Sequence, residues 1–223
     1  AAKVPVILAP SVAVDFLEIL SASLSAEAVQ KGRSFFAGKL GQAVMSTLVD
    51  IVDDGVMPWG TGTSPVDDEG VPASGKAVIS KGILTGYFHN TYTAKKAGVK
   101  STGNAVRGSF KSLPGIDVTN FFVKAEGNNP SQSPQLIKSL SRGILILGAM
   151  GVHTANPVSG DFSVGISGLW IENGEAVYPF KEAVISGNIL EMFKKIEGIG
   201  DDLKFYGSTG SPSLLIGDMD VSA

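Results

Sequence analysis

The stretch from Asp161 to Tyr178 reads DFSVGISGLWIENGEAVY. Phe162, Val164 and Ile166 alternate with Asp161, Ser163, Gly165 and Ser167, the two-residue period of a strand with one face buried. Further along, Asn173-Gly174 separates two apolar runs. That dipeptide is the strongest short-range sign of a type I′ hairpin, whose two central residues both need positive φ. A two-residue turn there pairs Ile171 with Ala176, Trp170 with Val177 and Leu169 with Tyr178. An antiparallel hairpin is thus the expected centre of the fold.

Outward from the hairpin, GILILGAM (143–150) is a continuous apolar run, expected as a strand buried on both faces. Val4–Leu8 is a second short apolar strand. After Pro10 the spacing changes: Val12, Phe16, Leu17, Leu20 and Leu24 recur at helical intervals, with Ser11 as the expected N-cap. Ser46–Val52 reads as a strand. Residues 55–75 (GVMPWGTGTSPVDDEGVPASG) are broken by glycine and proline at every period, so Pro58–Gly75 is expected to be irregular and more mobile than its neighbours. Lys76–Asn90 reads as two strands turning at Lys81-Gly82, and TYTAKKAG as a helix ended by Gly98. VTNFFVKAEG (118–127) is a strand. SPQLIKSLSRG is a helix capped by Ser133 with Pro134 in its first position. NILEMFKKIEGIG (188–200) is a helix with an Asn188/Glu191 capping pair and a stop at Gly198. KFYG and PSLLIGDMDV close as strands. With no repeat or linker, these elements predict one α+β domain: a mixed, largely antiparallel sheet with a few packed helices.

The chain has 223 residues, 43% of them hydrophobic and 17% charged, the profile of a globular protein. Eighteen basic against 21 acidic residues give a net charge of −3, and no basic run recommends nucleic acid as a partner. The absence of cysteine removes thiolate chemistry and fits the cytoplasm. No apolar run approaches the roughly 20 residues of a membrane helix, so no membrane is expected. There is neither a signal peptide nor an initiator Met, which suggests a piece of a longer protein.

Residue types able to do chemistry are sparse. His153, with Asp161 eight positions later, could act in a polar loop, although a lone histidine among small polar residues is more often structural. Asp67, Asp68 and Glu69 could hold a hard cation, or form a turn with solvated charges. Asp53-Asp54 before Gly55 reads as turn chemistry. STGN at Ser101 resembles a small anion nest without a phosphate-loop pattern. His89 and His153 offer no short-range ligand pair.

Six segments carry a resemblance: VDDEGVP, GILTGYFHNTYTAKKAG, STGNAVRG with Thr119-Asn120, SGDFSVGISGLWIENGE and SGNILEMFKKIEGIGDDL. In this order they resemble the C-terminal half of the TldD/PmbA family, the modulator-of-gyrase or peptide-maturation proteins. That family carries an N-terminal α/β domain as well, expected to be absent from this chain. Its TldD branch resembles a zinc protease, with H-E-x-x-x-H on a helix and a cysteine as third ligand, the histidines expected on one helical face. Alignment through QKGRSFF places the motif on Leu17, Glu18, Ile19, Leu20, Ser21 and Ala22. Only Glu18 is kept, so no catalytic residue and no metal ligand is expected here.

The resemblance therefore implies the PmbA (TldE) branch: a non-catalytic subunit whose TldD-like catalytic partner holds the zinc. The heterodimer would process unfolded peptides such as peptide-antibiotic precursors and antitoxins, its partner-free form being a homodimer. His153, Thr154, Asn156, Ser159 and Asp161 would line the shared chamber, with strand edges offered to an extended peptide. The alternatives are a self-sufficient hydrolase using His153 and Asp161 or the Asp67–Glu69 cluster, and a homodimeric peptide-binding module.

Overall fold

The computed structural model describes residues 2–125 and 133–222. β1 (Ala2–Leu8) leads into α1 (Pro10–Ser23) and the short α2 (Ala26–Gln30). β2 (Ile51–Asp54), β3 (Gly75–Ser80), β4 (Ile83–Leu84) and α3 (Thr91–Ala97) follow. Next come β5 (Ala105–Val106), β6 (Gly115–Ile116), β7 (Phe121–Val123) and α4 (Ser133–Lys138). β8 (Arg142–Met150), β9 (Asp161–Glu172), β10 (Glu175–Asn188), α5 (Ile189–Lys194) and β11 (Ile196–Ile199) build the second half. β12 (Lys204–Tyr206), β13 (Thr209–Ser211) and β14 (Leu214–Ser222) complete it.

The hairpin is central, as its sequence implies. It occupies the middle of a sheet ordered β1-β8-β9-β10-β14-β11, and β14 also pairs with β1. Five strands therefore close into a ring of ladders, which removes their exposed edges. Every pair in it is antiparallel except β1 with β8. A second sheet runs β12-β13-β7-β2-β3-β4, and β5 with β6 forms a small ribbon. α1 is tied to the ring by its own apolar stripe: Val12, Phe16, Leu17, Leu20 and Leu24 are all buried, and the Phe16 ring meets Phe162 of β9 edge-on at 5.1 Å. The result is the mixed, largely antiparallel α+β domain read from the sequence.

Several local expectations are corrected. Ser11 lies inside α1; Ala9 is the N-cap, without a side-chain bond, and Pro10 opens the helix with its fixed φ. The strand expected at Ser46–Val52 begins only at Ile51. Asn173 and Gly174 adopt φ of 50° and 76°, as a type I′ turn demands, but a bulge at Val177 slips the register. Tyr178 faces Trp170, and Pro179 faces Leu169. β8 is buried on both faces only at first; Leu147 and Met150 are exposed. The helix from Asn188 stops at Lys194, because Ile196–Ile199 joins the edge of β14 as β11. Asn188 does cap α5 through Leu190 and Glu191, whereas Glu191 turns to Lys194 instead of reaching back. α4 begins at Ser133, whose amide and hydroxyl both donate to Asp201. The VTNFFVKAEG strand is confined to Phe121–Val123, and its end at Glu126-Gly127 lies outside the described residues.

The glycine-rich segment is irregular but pinned. Asn120, fully buried, donates through Nδ2 to the Asp54 carbonyl at 2.7 Å and to Thr63 Oγ1 at 2.9 Å, while its Oδ1 accepts from the Gly62 amide at 2.9 Å. A Cβ on Gly60 would lie 2.6 Å from that Oδ1, so the close approach requires glycine.

Candidate functional site

Helix α1 carries the positions where the resemblance would put a metal motif. Leu17 is fully buried in the core, Glu18 is exposed and Ala22 is exposed. On a straight helix five residues advance about 500°, leaving the two end positions about 140° apart. Leu17 and Ala22 thus point in different directions, which corrects the expectation that they share a face.

Asp15, Glu18 and Ile19 do share one face, at the i, i+3 and i+4 spacing. They line a cavity of about 220 Å³ closed on the other side by Ala149, Gly151, Val152 and His153. The wall opposite α1 is made where β8 ends: Gly151, at φ 86°, starts a single 3₁₀ turn, Val152–Thr154. Thr154 locks that turn by donating from Oγ1 to the Gly151 carbonyl at 2.7 Å. His153 is exposed on the cavity rim, and among the described residues its imidazole has no hydrogen-bond partner. Asp15 is half-buried and forms no ion pair among the described residues, and burial pushes its carboxyl above the ordinary range.

The other expected chamber residues face elsewhere. Asn156 is a turn residue; its Oδ1 accepts from Val158 at 2.8 Å and Ser159 at 3.2 Å. The Asp161 carboxylate accepts from Asn188 Nδ2 at 2.9 Å, and the hydrogen bonds from Asn188 and Ser159 hold its pKa down. Ser159 borders a second cavity of about 450 Å³, shared with Phe35, Lys39, Gln42, Asn188 and Lys194. His153 and Asp161 therefore form no dyad: one faces α1, the other is engaged by α5's capping residue.

Asp67, Asp68 and Glu69 form a turn, as one reading of the sequence has it, with Asp68 exposed to solvent and all three carboxylates also hydrogen-bonded to backbone. Asp67 accepts from the amides of Glu69, Val71 and Ala105, Asp68 from Arg107, and Glu69 from the Thr91 amide and hydroxyl. Among the described residues no three His, Cys, Asp or Glu side chains converge as a metal site would require. The STGN loop is tied to the approach to α3: Ser101 and Thr102 both donate to the His89 carbonyl.

The sequence reading missed the main polar hub. Asp53, the third residue of β2, has its side chain wholly enclosed, taking bonds from Asn104 Nδ2, from the Thr119 amide and hydroxyl, and from Lys76. The signal was present, since period two puts Asp53 on the same inner face as Ile51.

The model of the PmbA/TldA metallopeptidase C-terminal domain matches residues 1–223. A metalloprotease PmbA of Escherichia coli O157:H7 is 29% identical, over 99% of this chain and 46% of its own length. A metalloprotease TldD homologue of Buchnera aphidicola is 35% identical, over 86% of this chain and 39% of its own. A solved structure from Thermotoga maritima, a putative modulator of a DNA gyrase, superposes with a TM-score of 0.92 at 37% identity. It is covered to 50%, and this chain to 99%. The chain spans about half the length, or less, of the curated relatives it matches.

Proposed function

Because this chain belongs to the PmbA/TldD metallopeptidase family, we propose that it acts as the C-terminal domain of a PmbA (TldE)-like, non-catalytic subunit. Its partner is a TldD-like chain that supplies the zinc, and together they process unfolded peptides in the cytoplasm. The relatives' greater length supports a further N-terminal α/β domain in the whole protein. Identity does not separate the branches, since both named types are matched at comparable levels. The observation that carries the reading is on α1: the motif positions hold Leu17 and Ala22, one in the core and one in solvent, and no cysteine exists anywhere in the sequence. A specific zinc site needs three or four protein ligands.

In this reading the walls around His153 and around Ser159 contribute surface to a chamber completed by the partner, and strand edges hold an extended peptide by main-chain bonds. Among the described residues no helix is long and apolar enough to cross a membrane. The test is coexpression with a sibling subunit that keeps H-E-x-x-x-H. Co-purification, with peptide cleavage only in the mixture, is the expected result. Peptidase activity by this chain alone, with about one tightly held zinc per chain, would overturn it.

A further inference from the structure

The corner built by α3 and the β5–β6 ribbon differs from the rest of the surface. Residues 91–116 contain five of the 18 basic residues, Lys95, Lys96, Lys100, Arg107 and Lys111, and none of the 21 acidic ones. The remainder of the chain is left with 13 basic against 21 acidic, so charge is segregated. The loop joining β5 to β6 also carries Phe110 and Leu113, each 89% exposed. Asn90 Nδ2, at the start of α3, donates to the Pro114 carbonyl at 3.1 Å and joins the ribbon to the helix.

The loop is shaped in advance. Ser112 donates from its amide and its hydroxyl to the Ser109 carbonyl, and the Ser109 amide donates to Ser112 Oγ. Arg107 Nη1 donates to the Ser112 carbonyl at 2.7 Å, and Lys111 Nζ lies 5.3 Å from the Phe110 ring centre. Asp67, Asp68 and Glu69 border the base of the corner, with oxygens turned onto backbone amides, one of them that of Arg107. Two large apolar side chains are thus displayed on a hydrogen-bonded turn flanked by Arg107 and Lys111. Exposed apolar tips on a preorganised support are the anchors of protein interfaces.

We propose that this corner, centred on Phe110 and Leu113, docks an acidic surface with an apolar pocket on the catalytic sibling subunit. This deepens the functional reading above and rests on it. A two-fold dimer of this chain through the same face would set its cations against their own copies, because such an interface is self-complementary. Like charges across an interface are strongly unfavourable, so the face fits a different, oppositely charged chain. The fixed turn favours a shaped pocket over a fluid anionic bilayer.

The experiment measures the affinity of this chain for the sibling subunit, for wild type, the Phe110→Ser/Leu113→Ser double variant and the Lys96→Glu/Lys111→Glu double variant. All four side chains are exposed, so unchanged melting temperatures are expected. The proposal predicts at least about tenfold weaker binding for each double variant, and weaker wild-type binding as salt rises. A wild-type complex that both variants form within about twofold of its affinity overturns the docking face and leaves the functional reading intact. No complex by the wild type overturns both. If the apolar variant loses affinity instead for vesicles of anionic phosphatidylglycerol, with the sibling complex unaffected, the face is a membrane surface and the proposal is wrong.

Discussion

Lys76 Nζ sits 3.1 Å from Oδ2 of Asp53, a carboxylate with no solvent exposure, and among the described residues is its only cation. The pair crosses from β3 to β2, and Asn104 and Thr119 complete the acid's shell from the ribbon and from the approach to β7. Removing one member of such a pair leaves a buried charge uncompensated, which costs far more than the pair itself contributes. Lys76→Met is therefore expected to destabilise the domain by about 3–5 kcal/mol, read as a shift of the urea midpoint. A loss below about 1 kcal/mol would mean that the hydrogen bonds alone sustain the carboxylate.

His89 gives a pH dependence. It is buried, its Nδ1 has no hydrogen-bond partner among the described residues, and burial lowers its pKa from 6.5, against a raising contribution from the Thr93 backbone. The folded chain keeps the imidazole neutral, while the unfolded chain binds a proton near the ordinary pKa. Stability is then fully present above about pH 7 and falls as pH drops through 6.5 toward the lower folded value. Denaturation at pH 7.5 and 5.5 should show this loss in the wild type and a smaller one in His89→Gln. An equal loss in both would move the cause elsewhere.

Trp170 and Phe162 lie on the same hairpin but not at the same depth. Phe162 is buried against Phe16, whereas Trp170 is half-buried, stacked on Tyr178 at 6.1 Å and capped by Arg142. Phe162→Ala is expected to cost about 3–5 kcal/mol, and Trp170→Ala clearly less. His153→Ala, on the cavity rim, should stay within about 0.5 kcal/mol of wild type. Thermal melts of the three rank them; a reversed order for Phe162 and Trp170 would contradict the burial described.

What could be read in advance follows from how local each cause is. The Asn173-Gly174 turn was legible because positive φ is a property of the two residues themselves. The slip at Val177 was not, since a bulge depends on both partner strands. α1's stripe was legible from its period, but its cap was not: Pro10 and Ser11 both suit a helix start, and β1 decides where the chain enters. Ile196–Ile199 continues a helical pattern in sequence, yet β14 offers it a ladder. Asp53 reads as turn chemistry in the sequence because its partners lie about 20 to 70 positions away. The candidate site shows the same division. The absence of histidine at positions 17 and 22 is visible in the residue types, while the cavity that His153 lines together with Asp15 and Glu18 required the fold.

Positions 17 and 22 of α1 hold leucine and alanine where the zinc motif has histidines. If the motif were merely eroded, restoring both histidines would restore a site. α1 argues otherwise: Leu17 points into the core with no exposure and Ala22 into solvent, so Leu17→His/Ala22→His encloses one imidazole among core side chains and leaves the other in solvent. The cysteine ligand would still be missing. Leu17→His should itself cost about 2–5 kcal/mol, as the loss of a buried leucine does, with an added polar group enclosed. The double variant is expected to be less stable than wild type and to gain nothing from zinc, because a ligand bound only by the folded state would raise the melting temperature. A zinc-dependent rise of several degrees in the double variant, absent in the wild type, would show that α1 can rearrange to bring positions 17 and 22 onto one metal, and would return this helix to the catalytic branch in all but two residues.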